Sequence, residues 1–103
     1  MYKRLAIDFD GTIVEDDYPH IGNLNIKFVE DLIRCKLNGD KLILWTCRTG
    51  NLLHQALNLC KNTGLKFDAV NENLPETISK FGGDSRKIYA DIYIDDNSVN
   101  PNF

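Results

Sequence analysis

Leu5-Ala6-Ile7-Asp8-Phe9-Asp10-Gly11-Thr12 begins as a short apolar run and breaks at a glycine just after two acids. A run of this length, closed by a turn residue, reads as a buried strand. From Asn25 to Asn38 the period changes. Ile26, Val29, Ile33 and Leu37 fall on one face, Phe28, Leu32 and Cys35 widen the stripe, and Gly39 stands where a helix should stop. Leu42-Ile43-Leu44-Trp45 is a second buried strand. A second helix follows, with Leu53, Ala56, Leu57 and Cys60 at i, i+3, i+4 and i+7 and Gly64 as its stop signal. Lys66 to Val70 reads as a third, short strand, and Glu76 to Phe81 as a brief helix before Gly82-Gly83. Ala90 to Asp95 forms a fourth strand ending in acid, and Asn97 to Phe103 an irregular tail. Strands alternating with helices imply an α/β domain whose parallel sheet has right-handed crossovers and is covered on both faces. In such a doubly wound sheet, ligands bind beyond the carboxyl ends of the strands. Chemistry should therefore gather at the strand C-termini.

Composition narrows the class. The 103 residues, 43% apolar and 26% charged, suit one soluble domain over residues 1–103. A net charge of −3, without a basic run or an aromatic platform, argues against nucleic acid as a partner. No apolar stretch approaches the roughly 20 residues needed to span a bilayer, so no membrane role is expected. Met1-Tyr2-Lys3-Arg4-Leu5 runs straight into the first strand without the apolar core of a signal peptide. Cys35, Cys47 and Cys60 are odd in number and form no C-x-x-C pair, which suggests neither a disulfide framework nor a zinc site. Reduced thiols in a cytoplasmic protein is the plain expectation.

The strand ends carry the polar residues. Asp8 and Asp10 are i and i+2 in an extended segment, so their carboxylates share one side while Phe9 turns to the other. Two carboxylates 4 Å apart repel by roughly 4 kcal/mol at an effective dielectric near 20. A second acid pair, Asp95-Asp96, ends the fourth strand. If that strand lies beside the first, three or four carboxylates converge, and either some are protonated or a cation sits among them. An all-oxygen cluster favours a hard ion, and Mg²⁺ takes one or two carboxylates while keeping waters. Gly11 allows a sharp turn and close approach of backbone N–H groups to an anion. Thr46 ends the second strand with a hydroxyl that can donate to a phosphate oxygen, and Lys87 offers a point charge suited to a phosphoryl group. A carboxylate nucleophile, Mg²⁺, a hydroxyl donor and a lysine are what phosphoryl transfer through an aspartyl-phosphate requires. Of the remaining residues, Arg48 is within reach of a substrate anion, and Trp45 and Cys47 read as core or site wall. His20, in a presumed flap, and His54 read as surface residues.

These four motifs resemble those of the haloacid dehalogenase superfamily of phosphatases and phosphotransferases. Asp8-Phe9-Asp10-Gly11-Thr12 matches D-x-D-x-T/V in its phosphatase form, Thr46 the Ser or Thr ending a hydrophobic strand, Lys87 the lysine, and Asp95-Asp96 the acidic pair. Lys87 to Asp96 is similar to a K-x-x-A-D-x-Y-I-D-D variant of small bacterial members. The resemblance implies a Rossmann-like doubly wound sheet of order 4-1-2-3 in a three-layer αβα arrangement. It implies Asp8 as nucleophile and Asp10 as acid, then base, with Thr46 and Lys87 steadying the phosphoryl oxygens. Gly11, Thr12, Cys47 and Arg48 are expected on the substrate side. Asp8, Asp10 (through its backbone carbonyl), Asp95 and Asp96 are expected around Mg²⁺. Ile13 to Leu24 and Leu65 to Arg86 are too short for a cap domain, so the site is expected to be open. It would admit a sugar phosphate or a phosphorylated macromolecule, or be closed by formation of a homo-oligomer, which would also cover an edge strand. A non-catalytic or regulatory binding module is the alternative. A receiver domain is opposed by the motif order, because its acid pair ends the first strand and its lone acceptor ends a later one.

Overall fold

The computed structural model describes residues 2–83, 88–95 and 98–101. Its order is β1 (Arg4–Ile7), α1 (Ile26–Leu37), β2 (Lys41–Leu44), α2 (Gly50–Thr63), β3 (Ala69–Val70), α3 (Pro75–Phe81), β4 (Ile92–Asp95) and β5 (Ser98–Pro101). The sheet runs β3-β2-β1-β4-β5. β1 pairs in parallel with both β2 and β4, β2 pairs in parallel with β3, and β5 is antiparallel to β4. The expected α/β class with a parallel, Rossmann-like sheet is present. Its order differs from the expected 4-1-2-3, read from the opposite edge, by the added fifth strand. The tail expected to be irregular thus contributes β5, with Asp95 paired to Ser98 and Ile92 to Pro101. The pairing satisfies the β4 edge within the chain, and an edge strand tolerates Pro101. The third strand is shorter than expected, at two residues.

Local chemistry accounts for the helix limits. Asn25 caps α1 by accepting a hydrogen bond from the Phe28 N–H, and Arg34 and Lys36 lie in the last turn, where a cation is favoured. Gly64 closes α2 in the left-handed region, its N–H bonded to the Cys60 and Lys61 carbonyls. Pro75 opens α3, where its missing N–H costs nothing.

Strand alternation splits the core between two faces. Leu5, Ile7, Phe9, Leu42 and Leu44 pack with Val29 and Leu32 of α1 and Ala56 and Cys60 of α2. Ala6, Ile43 and Ala69 point the other way and pack with Leu74, Ile88, Ala90 and Tyr93. Each large aliphatic side chain buried here stabilises the fold by roughly 1.5–3 kcal/mol. Cys35, Cys47 and Cys60 are free thiols, and burial pushes Cys60 up to about 11, so it acts as an inert core residue. Among the described residues, no helix is long and apolar enough to cross a membrane.

Between β1 and α1 the chain forms a flap. Val14 bridges Leu24 in antiparallel fashion, and the Glu15 N–H donates to the Asn23 carbonyl at 2.8 Å. Gly22 fits only because it lacks a side chain, since a Cβ there would lie 2.0 Å from the Glu15 carbonyl oxygen. Gly22→Ala is expected to destabilise the protein by about 1–3 kcal/mol in urea unfolding. Unchanged stability would show that the flap base moves apart without cost.

At the opposite end of the sheet, Asp91 accepts hydrogen bonds from the Arg4 backbone N–H (2.7 Å), Nε (3.0 Å) and Nη2 (2.8 Å), tying β4 to β1. The Arg4 side chain holds the Asp91 carboxyl below its ordinary value of 3.8, against the opposing effect of burial. A lowered carboxyl contributes stability above its unfolded value and loses it as pH falls through the lower folded one. Asp91→Asn should therefore cost about 1–2 kcal/mol at pH 7, a partly solvent-screened value. Chemical unfolding should show that gap narrowing as pH falls below the ordinary value of 3.8, and a gap that does not narrow on acidification would refute the linkage.

Candidate functional site

Strand register aligns four side chains along the C-terminal rim. Beyond the β1–β4 pairing of Ile7 with Ile94, the Asp8 N–H donates to the Ile94 carbonyl at 3.0 Å, which sets Asp8 level with Asp95. Beyond Ile7–Leu44, the Trp45 N–H donates to the Ile7 carbonyl at 2.8 Å, and the Asn71 N–H to the Leu44 carbonyl at 2.7 Å. The rim thus reads Asp95, Asp8, Trp45, Asn71 across β4, β1, β2 and β3.

A cleft of about 280 Å³ opens above this rim, lined by Asp8, Asp10, Tyr18, Thr46 and Cys47. Asp8 folds one carboxylate oxygen back onto the Phe9 N–H at 2.8 Å, which fixes the side chain at the strand end. The Thr46 N–H donates to Asn71 Oδ1 at 2.8 Å, and Thr46 Oγ1 accepts from the Arg48 N–H at 3.1 Å. The hydroxyl hydrogen of Thr46 thereby remains to be donated elsewhere. Asn71 adopts a left-handed conformation (φ 54°), which asparagine tolerates better than most residues and which brings its amide against Thr46.

Arg48 is the centre of the site's polar network. It is fully buried, and its guanidinium grips Asp10 with two parallel bonds, Nε to Oδ2 at 2.8 Å and Nη2 to Oδ1 at 2.7 Å. The remaining donors reach the flap, with Nη2 to the His20 carbonyl at 2.8 Å and Nη1 to the Pro19 carbonyl at 3.3 Å; Nη1 also meets the Leu52 carbonyl at 3.5 Å. The guanidinium lies over the rings of Phe9 (5.1 Å) and Tyr18 (5.2 Å). Hydrogen bonding to Asp10 raises Arg48 further, so it stays charged although buried.

Comparison with protein-family models found no match, and neither did comparison with curated proteins. Among solved structures, a conserved protein from Bacteroides thetaiotaomicron superposes with a TM-score of 0.83 at 43% identity, over 95% of this chain and 78% of that one. The chain belongs to the family of that conserved Bacteroides protein.

Set on this family's frame, the expected site residues divide. Asp8, Asp10, Thr46 and Cys47 share one cleft, and Asp95, exposed, is level with Asp8. Lys87 and Asp96 lie outside the described residues. Gly11 and Thr12 line a separate hollow of about 470 Å³ with Val14, Glu15, Asn23, Leu24, Asn25 and Ile26. The Thr12 N–H turns back to the Phe9 carbonyl, which draws that residue inward, away from the cleft. Arg48, expected to face a substrate anion, is instead committed to Asp10 and the flap. Its partner is 38 positions away, beyond any local pattern. Trp45, read as core or wall, is 47% exposed on the rim.

The donor chemistry at the rim suits a hard divalent cation in part. Asp8 and Asp95 stand on adjacent strand ends, and carboxylate oxygens are ligands of the kind Mg²⁺ accepts alongside water. The Asp10 carboxylate is occupied by Arg48. Among the described residues, no group of three or more His, Cys, Asp or Glu side chains is close enough to hold a metal by itself.

Proposed function

We propose that the protein is a cytoplasmic, Mg²⁺-dependent phosphomonoester hydrolase of haloacid dehalogenase type, capless and in a three-layer αβα arrangement, with Asp8 as nucleophile. The observation carrying this reading is the placement of Asp8, Asp10 and Thr46 around one cleft, with Asp95 level with Asp8 at the end of a parallel sheet. Asp8, Asp95 and the Asp10 carbonyl would hold Mg²⁺, which when bound offsets negative charge on the phosphoryl group. Asp8 attacks phosphorus, the P–O bond to the leaving group breaks, and an aspartyl-phosphate forms. Thr46 donates its hydroxyl hydrogen to a phosphoryl oxygen. Both Asp10 oxygens accept from Arg48, so delivery of a proton to the leaving oxygen requires the fork to open at one of them. In the second half-reaction Asp10 takes the proton of the attacking water. Lys87 is retained in its expected role beside the phosphoryl group. Phosphate release from p-nitrophenyl phosphate and a phosphometabolite panel, with and without Mg²⁺, tests the reading, and absence of turnover across the panel would refute it.

The clamp on Asp10 favours one alternative, a binding or regulatory module that keeps the fold without turnover. Saturable Mg²⁺ binding by calorimetry, with neither phosphate release nor a phosphoenzyme, would select that reading.

A further inference from the structure

Arg48 engages every side-chain donor it has, and it divides them between Asp10 and the flap. A guanidinium carries five N–H groups. Nε and one Nη2 hydrogen go to Asp10, and the other Nη2 hydrogen goes to the His20 carbonyl. The two Nη1 hydrogens go to the Pro19 and Leu52 carbonyls. One nitrogen, Nη2, therefore joins Asp10 Oδ1 to the flap tip. The flap bonds are made to main-chain carbonyls, so they fix the tip whatever its side chains do. Tyr18 completes the junction. Its ring centre lies 5.2 Å from the guanidinium, and the residue is exposed and lines the cleft beside Asp8 and Asp10. Arg48 itself is fully buried, so it acts through Asp10 rather than on a substrate.

The consequence falls on proton transfer. When the P–O bond to the leaving group breaks, its electron pair stays on the leaving oxygen, and Asp10 supplies the proton there. A protonated carboxyl donates from one oxygen, whereas the carboxylate left behind accepts at both. The closed fork suits the carboxylate. Opening it at Oδ1 while Nε keeps Oδ2 frees one oxygen for the proton and still holds the carboxyl plane in a fixed direction. The flap sets how far Nη2 can move, because the same nitrogen also serves the His20 carbonyl. A lysine ammonium in this place is a point charge without the fork and loses that direction. Aim matters here, since a misplacement of about 1 Å can cost roughly 100-fold in rate.

We propose that Arg48 is a positioning residue for the acid step: it aims the Asp10 proton at the leaving oxygen, and the flap carbonyls aim Arg48. This rests on the phosphomonoesterase reading above. Phenyl phosphate and p-nitrophenyl phosphate test it, because the two are similar in shape and differ in the leaving oxygen's need for a proton. p-Nitrophenolate departs unprotonated, and phenolate departs far less readily without a proton. The value of kcat/KM covers the steps up to that departure. In Arg48→Lys, with Mg²⁺, the ratio of kcat/KM for phenyl to p-nitrophenyl phosphate should fall about tenfold from wild type, part of the roughly 10²–10⁴-fold that a positioned acid supplies. Gly22→Ala, which forces the flap apart at its base and away from the cleft, should lower the same ratio. Combined with Arg48→Lys it should add little, because both changes act on one linkage. A merely structural role lowers both substrates alike and leaves the ratio unmoved, and a smaller folded fraction does the same. An unchanged ratio in either single variant, or full additivity in the double variant, would overturn the proposal while hydrolysis itself stands. Absence of turnover by wild type on both esters and on the phosphometabolite panel would overturn the phosphatase reading and this role together.

Discussion

Asp8→Asn is expected to remove Mg²⁺-dependent phosphate release, by about 10⁴-fold or more, while leaving the protein folded. The size follows from the role, because a covalent route loses its first intermediate when the nucleophile goes. The fold should survive for a visible reason. The bond from the Phe9 N–H goes to Asp8 Oδ1, and an asparagine side-chain oxygen can accept it equally. Removing one of the facing charges on adjacent strand ends also relieves repulsion with Asp95. Unfolding midpoints should therefore match or exceed wild type. Activity within tenfold of wild type would exclude Asp8 as nucleophile, and an unfolded variant would show that Asp8 serves the strand end rather than the chemistry.

Arg48→Met should have the largest effect on stability. It removes the buried guanidinium from both Asp10 oxygens and from two flap carbonyls at once. Breaking a buried pair typically costs 3–5 kcal/mol because the other charge is left uncompensated. The Asp10 side chain keeps 17% exposure, which lowers the expectation to about 2–4 kcal/mol. For a domain of this size that is a fall in Tm of about 10–25 °C. Arg48→Lys should recover only part of it, since an ammonium cannot reproduce the two parallel bonds. Adding Asp10→Asn to Arg48→Met should cost less than the sum of the single changes, because it removes the orphaned charge. Additive costs, or a loss under about 0.5 kcal/mol for Arg48→Met, would contradict the clamp. Faster amide exchange confined to residues 14–24 in Arg48→Lys would locate the flap as the element it secures.

Local signals carried much of this architecture. Period and stop signals placed the first long helix within a residue at each end and the end of the second, because Asn25 and Gly64 act through bonds to their own neighbours. Hydrophobic runs placed β1 and β2, and the acids at strand ends predicted where the cleft lies. Three features depended on distant partners and were illegible. β5 is polar and contains Pro101, so only the open edge of β4 makes it a strand. Arg48 reads as a residue facing a substrate anion until Asp10 and the flap carbonyls are folded around it. Trp45 sits in an apolar run and reads as buried, yet it is the residue at which the covered part of the sheet ends. Thr12, next to the acids in sequence, is turned inward by its own backbone bond to Phe9.

Trapping the covalent intermediate tests the central claim most directly. After brief turnover of a substrate and acid quench, borohydride reduces an aspartyl-phosphate to homoserine, and peptide mass spectrometry locates it. Homoserine at position 8 is the predicted result. Modification at position 10 or 95, or steady turnover with position 8 never modified, would contradict the account.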